Sequence, residues 1–164
     1  RNTPIERLFL YHNLREKLPP TSVHAELLIG MCMDNRKDLI IPNEFAYIIR
    51  GAGANLHGSE FEISYAIAVG GVSTIALLAH TDCGMSHVSE KRDSFIRGLV
   101  ERAGYDSDNA TRQFDKYADL YQIGDPIKFI LTETARLQGL YPKVLIAPLL
   151  YKVEDDQLEQ IVES

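Results

Sequence analysis

Cysteine is scarce: the 164 residues contain two, Cys32 and Cys83. That is too few for a disulfide scaffold. One Cys32–Cys83 bridge is the plain alternative, and it would need an oxidising compartment. Basic residues are also in deficit, 17 against 23 acidic, for a net charge of −6. With no basic block in the chain, that balance argues against a nucleic-acid partner. No apolar run approaches the roughly 20 residues that a membrane helix needs. Repeats, low-complexity tracts and inter-domain linkers are missing too. What remains is 45% hydrophobic and 24% charged, ordinary for a globular protein with a substantial core. The expectation is one domain over residues 1–164. The first residue is Arg1 and not Met, which leaves a preceding targeting segment open; the expected compartment is the cytoplasm.

Strands and helices alternate along the chain. Thr3-Pro4-Ile5-Glu6 reads as a capping box with proline at the first helical position. The amphipathic helix it opens runs toward Leu18 and is stopped by Pro19-Pro20. Residues 1–20 lie outside the later alternation, so this arm is expected to pack on a partner subunit and not on its own core. Strands are expected over 23–31, 45–49 and 72–79. Between the last two, Ser59-Glu60-Phe61-Glu62 reads as a second capping box. Its helix carries Phe61, Tyr65, Ala66 and Val69 on one face and closes at Gly70-Gly71. Helices are expected over 89–103 and 109–122. Another runs from the Asp125-Pro126 cap to about Gln138, with Gly139 as its stop. A strand over 143–151 contains Pro148, which suits an edge or a bulge. Residues 155–162 read as a last short helix. The fold class is α/β, a mostly parallel sheet covered by helices on both faces.

Chemistry gathers where two of these strands end. The apolar run Ile75–Ala79 stops at His80, with Cys83 three residues on. The run Leu27–Met31 stops at Cys32. Ligands often sit where buried parallel strands end. Two thiolates and an imidazole suit a borderline-soft tetrahedral ion such as zinc, and three protein ligands leave a fourth position open. Buried, unrelated cysteines are the bland alternative at even odds. Asp34 and Arg36 tip the balance. On extended backbone Cys32, Asp34 and Arg36 face one side, and an arginine beside an aspartate keeps it ionised and oriented. Gly51 and Gly53 are followed by no phosphate-loop lysine, so they read as a backbone turn beside the metal. His57 and His87 have the right type for moving protons, but the surface-histidine reading is favoured for both. His12 belongs to the first helix and His24 faces out of the first strand. Met33 and Met85 read as apolar wall. Tyr117/Tyr121 and Phe129/Tyr141 read as core or subunit contacts.

C-x-D-x-R at 32–36, R-x-A-G at 50–53 and H-x-x-C-G at 80–84 together resemble the β-class carbonic anhydrases. The likeness is close over 32–84 and looser over 143–158. It implies a four- to five-stranded, mostly parallel sheet and a homodimer or larger homo-oligomer. It implies zinc on Cys32, His80 and Cys83, with Asp34 and Arg36 as the catalytic dyad. Asp34 is also a possible fourth ligand in a closed, inactive state. The implied activity is zinc-dependent, reversible hydration of carbon dioxide to bicarbonate and a proton.

Departures concern the loops near the metal. Asn35 stands where the family usually has serine, Gly51 replaces a larger residue, and Ala54 displaces Asn55. They bear on substrate more than on metal binding, so hydrolysis of a CO2-like molecule such as carbonyl sulfide or carbon disulfide stays open. A zinc-binding protein with little catalysis, and a redox protein using a Cys32–Cys83 bridge, are the remaining alternatives.

Overall fold

A computed structural model describes residues 2–20 and 22–162. Five strands form one sheet in the order β2-β1-β3-β4-β5. They are β1 Leu27–Met31, β2 Ala46–Arg50, β3 Thr74–His80, β4 Leu145–Lys152 and β5 Gln157–Gln160. The first four pair in parallel, and β5 runs antiparallel to β4. The helices are α1 Pro4–His12, α2 Glu60–Ala68, α3 Arg92–Ala103, α4 Ser107–Tyr121 and α5 Pro126–Leu140.

β1 and β3 are buried along their whole length, as continuous apolar runs in a two-faced parallel sheet must be. Their side chains alternate between two cores. Leu28, Ile75, Leu77 and Ala79 face Ile63 and Ala66 of α2 and Ile130 and Leu137 of α5. Leu27, Ile29, Met31, Ala76 and Leu78 face Leu8 of α1 with Leu149, Tyr151 and Leu158. Gly30 lets Leu56 close over β1: a Cβ there would sit 2.7 Å from Leu56 Cδ1.

Several expectations change. The Thr3 capping box forms as read, but α1 ends at His12, well before the prolines. The arm expected on a partner in place of its own core is corrected for α1, whose Leu8 is buried on its own sheet; Arg1 lies outside the described residues. The Ser59 box does not form, because the Ser59 side chain caps nothing. The face read on α2 divides: Ala66 points inward together with Ile63, while Phe61 is 79% exposed and Tyr65 and Val69 are exposed with it. Residues 157–160 form a strand and not a helix. Asp156 turns the chain at φ 60°, and the Asn13 side chain pairs with both backbone groups of Leu158. Pro148 lies inside the sheet. Its carbonyl faces the β5 side, where it accepts from Ile161 N–H, so its missing donor falls just past the end of the β4–β5 register. Gly139 is inside α5, which continues to Leu140.

Candidate metal centre

β1 and β3 are neighbours whose connections leave in opposite directions, to β2 on one side and β4 on the other. That is the switch point at which open parallel sheets place ligands. Met31 stands opposite Leu78, so Cys32 leaves β1 beside the last residues of β3. Asp82, at φ 52°, turns the chain after His80 and returns Cys83 to the strand end. The ligand atoms of Cys32, His80 and Cys83 lie within 4.8 Å of one another, and all three residues are buried.

His80 decides what this cluster can do. Its Nδ1 is 2.7 Å from the Thr81 carbonyl, an acceptor, so Nδ1 carries the hydrogen. Nε2 is then the lone-pair atom. Among the described residues it is the one buried side-chain nitrogen or oxygen without a partner. Buried polar atoms are seldom left in that state. A buried lone pair beside two cysteine sulfurs fits a soft or borderline cation, and the carbonyl behind Nδ1 is the second contact that orients a histidine ligand.

The cysteines are already biased toward such a role. A hydrogen bond from the Cys83 thiol pulls the Cys32 thiol down against the cost of burial, helped by backbone N–H groups. One of these, Gly53 N–H, donates to Cys32 Sγ at 3.1 Å. The same sulfur–sulfur contact, with burial, pushes Cys83 well up. Gly53 makes its contact at φ +67°, with Ile123 and Met85 so close that a Cβ would sit 2.7 Å from Ile123 Cγ2.

Asp34 stands at the mouth of the cluster, Oδ2 4.0 Å from His80 Nε2. Arg36 grips both its oxygens, with Nε–Oδ1 at 3.1 Å and Nη2–Oδ2 at 2.7 Å. This guanidinium holds the carboxyl well below the usual carboxylate range. The expected dyad thus exists as an ion pair, and it is anchored by a residue the sequence reading did not single out. Asp82 takes Arg36 through its carboxylate and its carbonyl, both at 2.7 Å. Arg36 so ties the Cys32 segment to the His80–Cys83 turn. Two more basic residues brace the site: Lys37 was missed, and Arg50 was read only as part of the R-x-A-G motif. Arg50 donates to the Cys32 carbonyl at 3.2 Å. Lys37 is 2% exposed and donates to the Asp34 carbonyl at 3.3 Å; burial pulls its ammonium down. Lys37 directly follows the 32–36 motif and Arg50 opens the 50–53 motif, and neither position says which carbonyl the side chain will reach.

The other candidates separate. His24 and His87 are exposed. Met33 is exposed as well, while Met85 lies against Gly53. His12 is a buried core residue. Tyr117 and Tyr121 form an edge-on pair on α4, and Tyr141 shares a hydrogen bond with Ser64 at 2.8 Å. His57 is engaged by a buried glutamate.

No family model matches the sequence, and no curated protein matches it significantly. Solved structures do match. A β-carbonic anhydrase, isoform I, from Trichomonas vaginalis is 20% identical over 97% of this chain and 94% of that one, with a TM-score of 0.71. A carbonic anhydrase from Glaciozyma antarctica is 21% identical over 99% and 97%, with a TM-score of 0.65.

The fold is that of the β-carbonic anhydrases.

A carbon disulfide hydrolase in its apo form is also similar, 22% identical over 95% of this chain and 85% of that one, with a TM-score of 0.60. At these identities the likeness fixes the β-carbonic anhydrase architecture, and the site must supply the chemistry. Among the described residues no helix is long and apolar enough to cross a membrane.

Proposed function

We propose that this chain is a zinc enzyme that hydrates carbon dioxide reversibly to bicarbonate and a proton. The observation that carries the reading is the partnerless, buried Nε2 of His80 beside two cysteines, with an arginine-held carboxylate 4.0 Å away. Cys32, His80 and Cys83 would hold the ion, with Asp34 and Arg36 as the dyad. Bound there, zinc would supply Lewis acidity that makes water a nucleophile near neutral pH. Asp34, kept ionised by Arg36, accepts a hydrogen bond from the attacking water and turns that water's free lone pair toward the carbon. Arg36 itself is immobilised by Asp82, so the carboxylate stays in place as charge moves. Both Asp34 oxygens are engaged with Arg36, which favours this open arrangement over one in which Asp34 is a fourth ligand. Gly53 meets Cys32 Sγ through its N–H, and the Gly51-Ala52-Gly53-Ala54 stretch that carries it has no polar side chain, a wall suited to an apolar triatomic substrate.

That same wall suits a sulfur analogue. Hydrolysis of carbon disulfide or carbonyl sulfide is therefore the second reading, favoured by the carbon disulfide hydrolase of like fold and by the altered 50–55 loop.

The working unit is proposed to be a homodimer. β2 is one of the two edges of the sheet, and its Tyr47 and Ile48, like Phe61, Tyr65 and Val69 of α2, are exposed. A long apolar edge invites pairing, and a second copy presents the identical edge about a two-fold axis.

Metal content and turnover measured on one preparation, from about pH 7 to 9, test the reading. One zinc per chain with CO2 hydration is expected. Zinc without hydration at any pH would leave a binding protein. Faster turnover of the sulfur analogues in parallel assays would establish the second reading.

A further inference from the structure

α5 presents Ile130, Glu133 and Leu137 to the core, and the glutamate among them is 1% exposed. A carboxylate there is costly unless paired. Arg136 takes Oε1 and is itself balanced by Glu60 at 2.7 Å. The other oxygen, Oε2, faces His57 Nδ1 at 3.2 Å.

The histidine is held in one tautomer. Nδ1 also lies 2.8 Å from Asn55 Oδ1. The orientation of that amide is fixed from both ends: Asn55 Nδ2 donates to the Leu120 carbonyl, and Asn55 Oδ1 accepts from the His57 backbone. Nδ1 thus meets two acceptors and must carry its hydrogen whether the ring is neutral or charged. Nε2 is left to gain and lose the proton. The His57 side chain is 59% exposed, and Nε2 has no partner among the described residues. A carboxylate behind Nδ1 and a free Nε2 in front is the arrangement by which proteins prepare a histidine to accept protons.

Its position fits the reaction. The turn that carries Asn55 and His57 begins at Gly53, whose N–H touches Cys32 Sγ. Four residues of chain put the His57 Cα at most about 14 Å from the Gly53 Cα.

We propose that His57 is the group that takes the proton released by CO2 hydration and passes it to solvent, with Glu133 and Asn55 as its positioning residues. This rests on the hydration reading. CO2 and water give bicarbonate and a proton; the proton adds to the Nε2 lone pair, forming an imidazolium whose Nδ1–H stays on Glu133 and Asn55. A buffer base then removes the Nε2 proton and restores the ring.

The test pairs two readouts. Nitrogen-15 NMR of the zinc-depleted protein should show neutral His57 as the Nδ1–H tautomer; the Nε2–H tautomer would overturn the proposal, because that nitrogen could not accept. In the zinc-loaded enzyme, His57→Ala should lower kcat about tenfold in dilute buffer, leave kcat/KM and zinc content unchanged, and regain kcat as imidazole buffer is added. A kcat equal to the parent's in dilute buffer would refute it. So would a joint fall in kcat and kcat/KM that imidazole does not restore, which marks a structural role. A parent enzyme without CO2 hydration would instead sink the functional reading, and this inference with it.

Discussion

Two buried histidines stand on opposite sides of the proposed chemistry. His12 is fully buried, and both its nitrogens are used: Nδ1 accepts from Ile40 N–H at 3.1 Å, and Nε2 donates to the Asp156 carbonyl at 3.0 Å. It pins α1 to the 37–41 segment and to the β4–β5 turn. His80 is as deeply buried, yet only Nδ1 is used and Nε2 faces two sulfurs. Burial does not tell the two apart. The unspent lone pair does, because a satisfied histidine has nothing left to give a ligand.

The largest expected effect would come from removing that lone pair. His80→Ala, like Cys32→Ala, should lose the metal and with it turnover to the background rate; full occupancy by metal analysis would refute the ligand assignment. His12→Leu should leave zinc content untouched. Loss of metal in that variant would erase the distinction between the two histidines.

Next in size is the carboxylate at the mouth of the site. Asp34→Asn should keep zinc and lose turnover by about a hundredfold, since the amide accepts poorly and no longer holds Arg36 by charge. Parent-like rates would remove Asp34 from the mechanism.

The cost at His12 should appear as stability. His12→Leu strands the Ile40 N–H and the Asp156 carbonyl, and should destabilise the fold by about 1–3 kcal/mol, read by denaturant unfolding. An unchanged midpoint would show that both groups find other partners.

The smallest effect is the pH response. Burial pulls the His12 pKa below its ordinary 6.5, against the opposing pull of Asp156. The unfolded chain therefore takes up a proton first as pH falls. The stability tied to neutral His12 is full above about pH 6.5 and drains below it, at no more than about 1.4 kcal/mol per pH unit, until the folded pKa is passed. Unfolding midpoints of the parent and His12→Leu should converge over that range. Parallel curves would mean that other groups carry the acid response.

Much of the site was legible because its parts are local. Cys32, Asp34 and Arg36 are separated by single residues, and His80 and Cys83 by a single turn, so sequence spacing came close to spatial relation. Asp82 was not legible: its bond to Arg36 crosses 46 residues. Nor was Lys37, whose burial depends on how the 37–41 segment folds back. His57 read as an ordinary surface histidine because Glu133, 76 positions away, is invisible from its neighbourhood.

The fold divides the same way. Thr3-Pro4 and Asp125-Pro126 opened their helices as read, since a cap bonds within its own first turn. The stripe read on α2 holds only at Ala66, because Phe61, Tyr65 and Val69 are more conspicuous than Ile63, and only the sheet decides which stripe it meets. β5 was misread because four residues carry little periodicity; pairing with β4 and with Asn13 settles it.

By itself, then, the sequence determined the strand ends, their ligand types and the Asp34–Arg36 pair, all set by contacts within a few residues. Tertiary structure alone decided that two strand ends meet, that Asp82 and Gly53 close on them, that His80 keeps a free nitrogen where His12 keeps none, and that a buried glutamate stands behind His57. Those contacts depend on sheet register and helix docking, and short-range propensity carries no record of either.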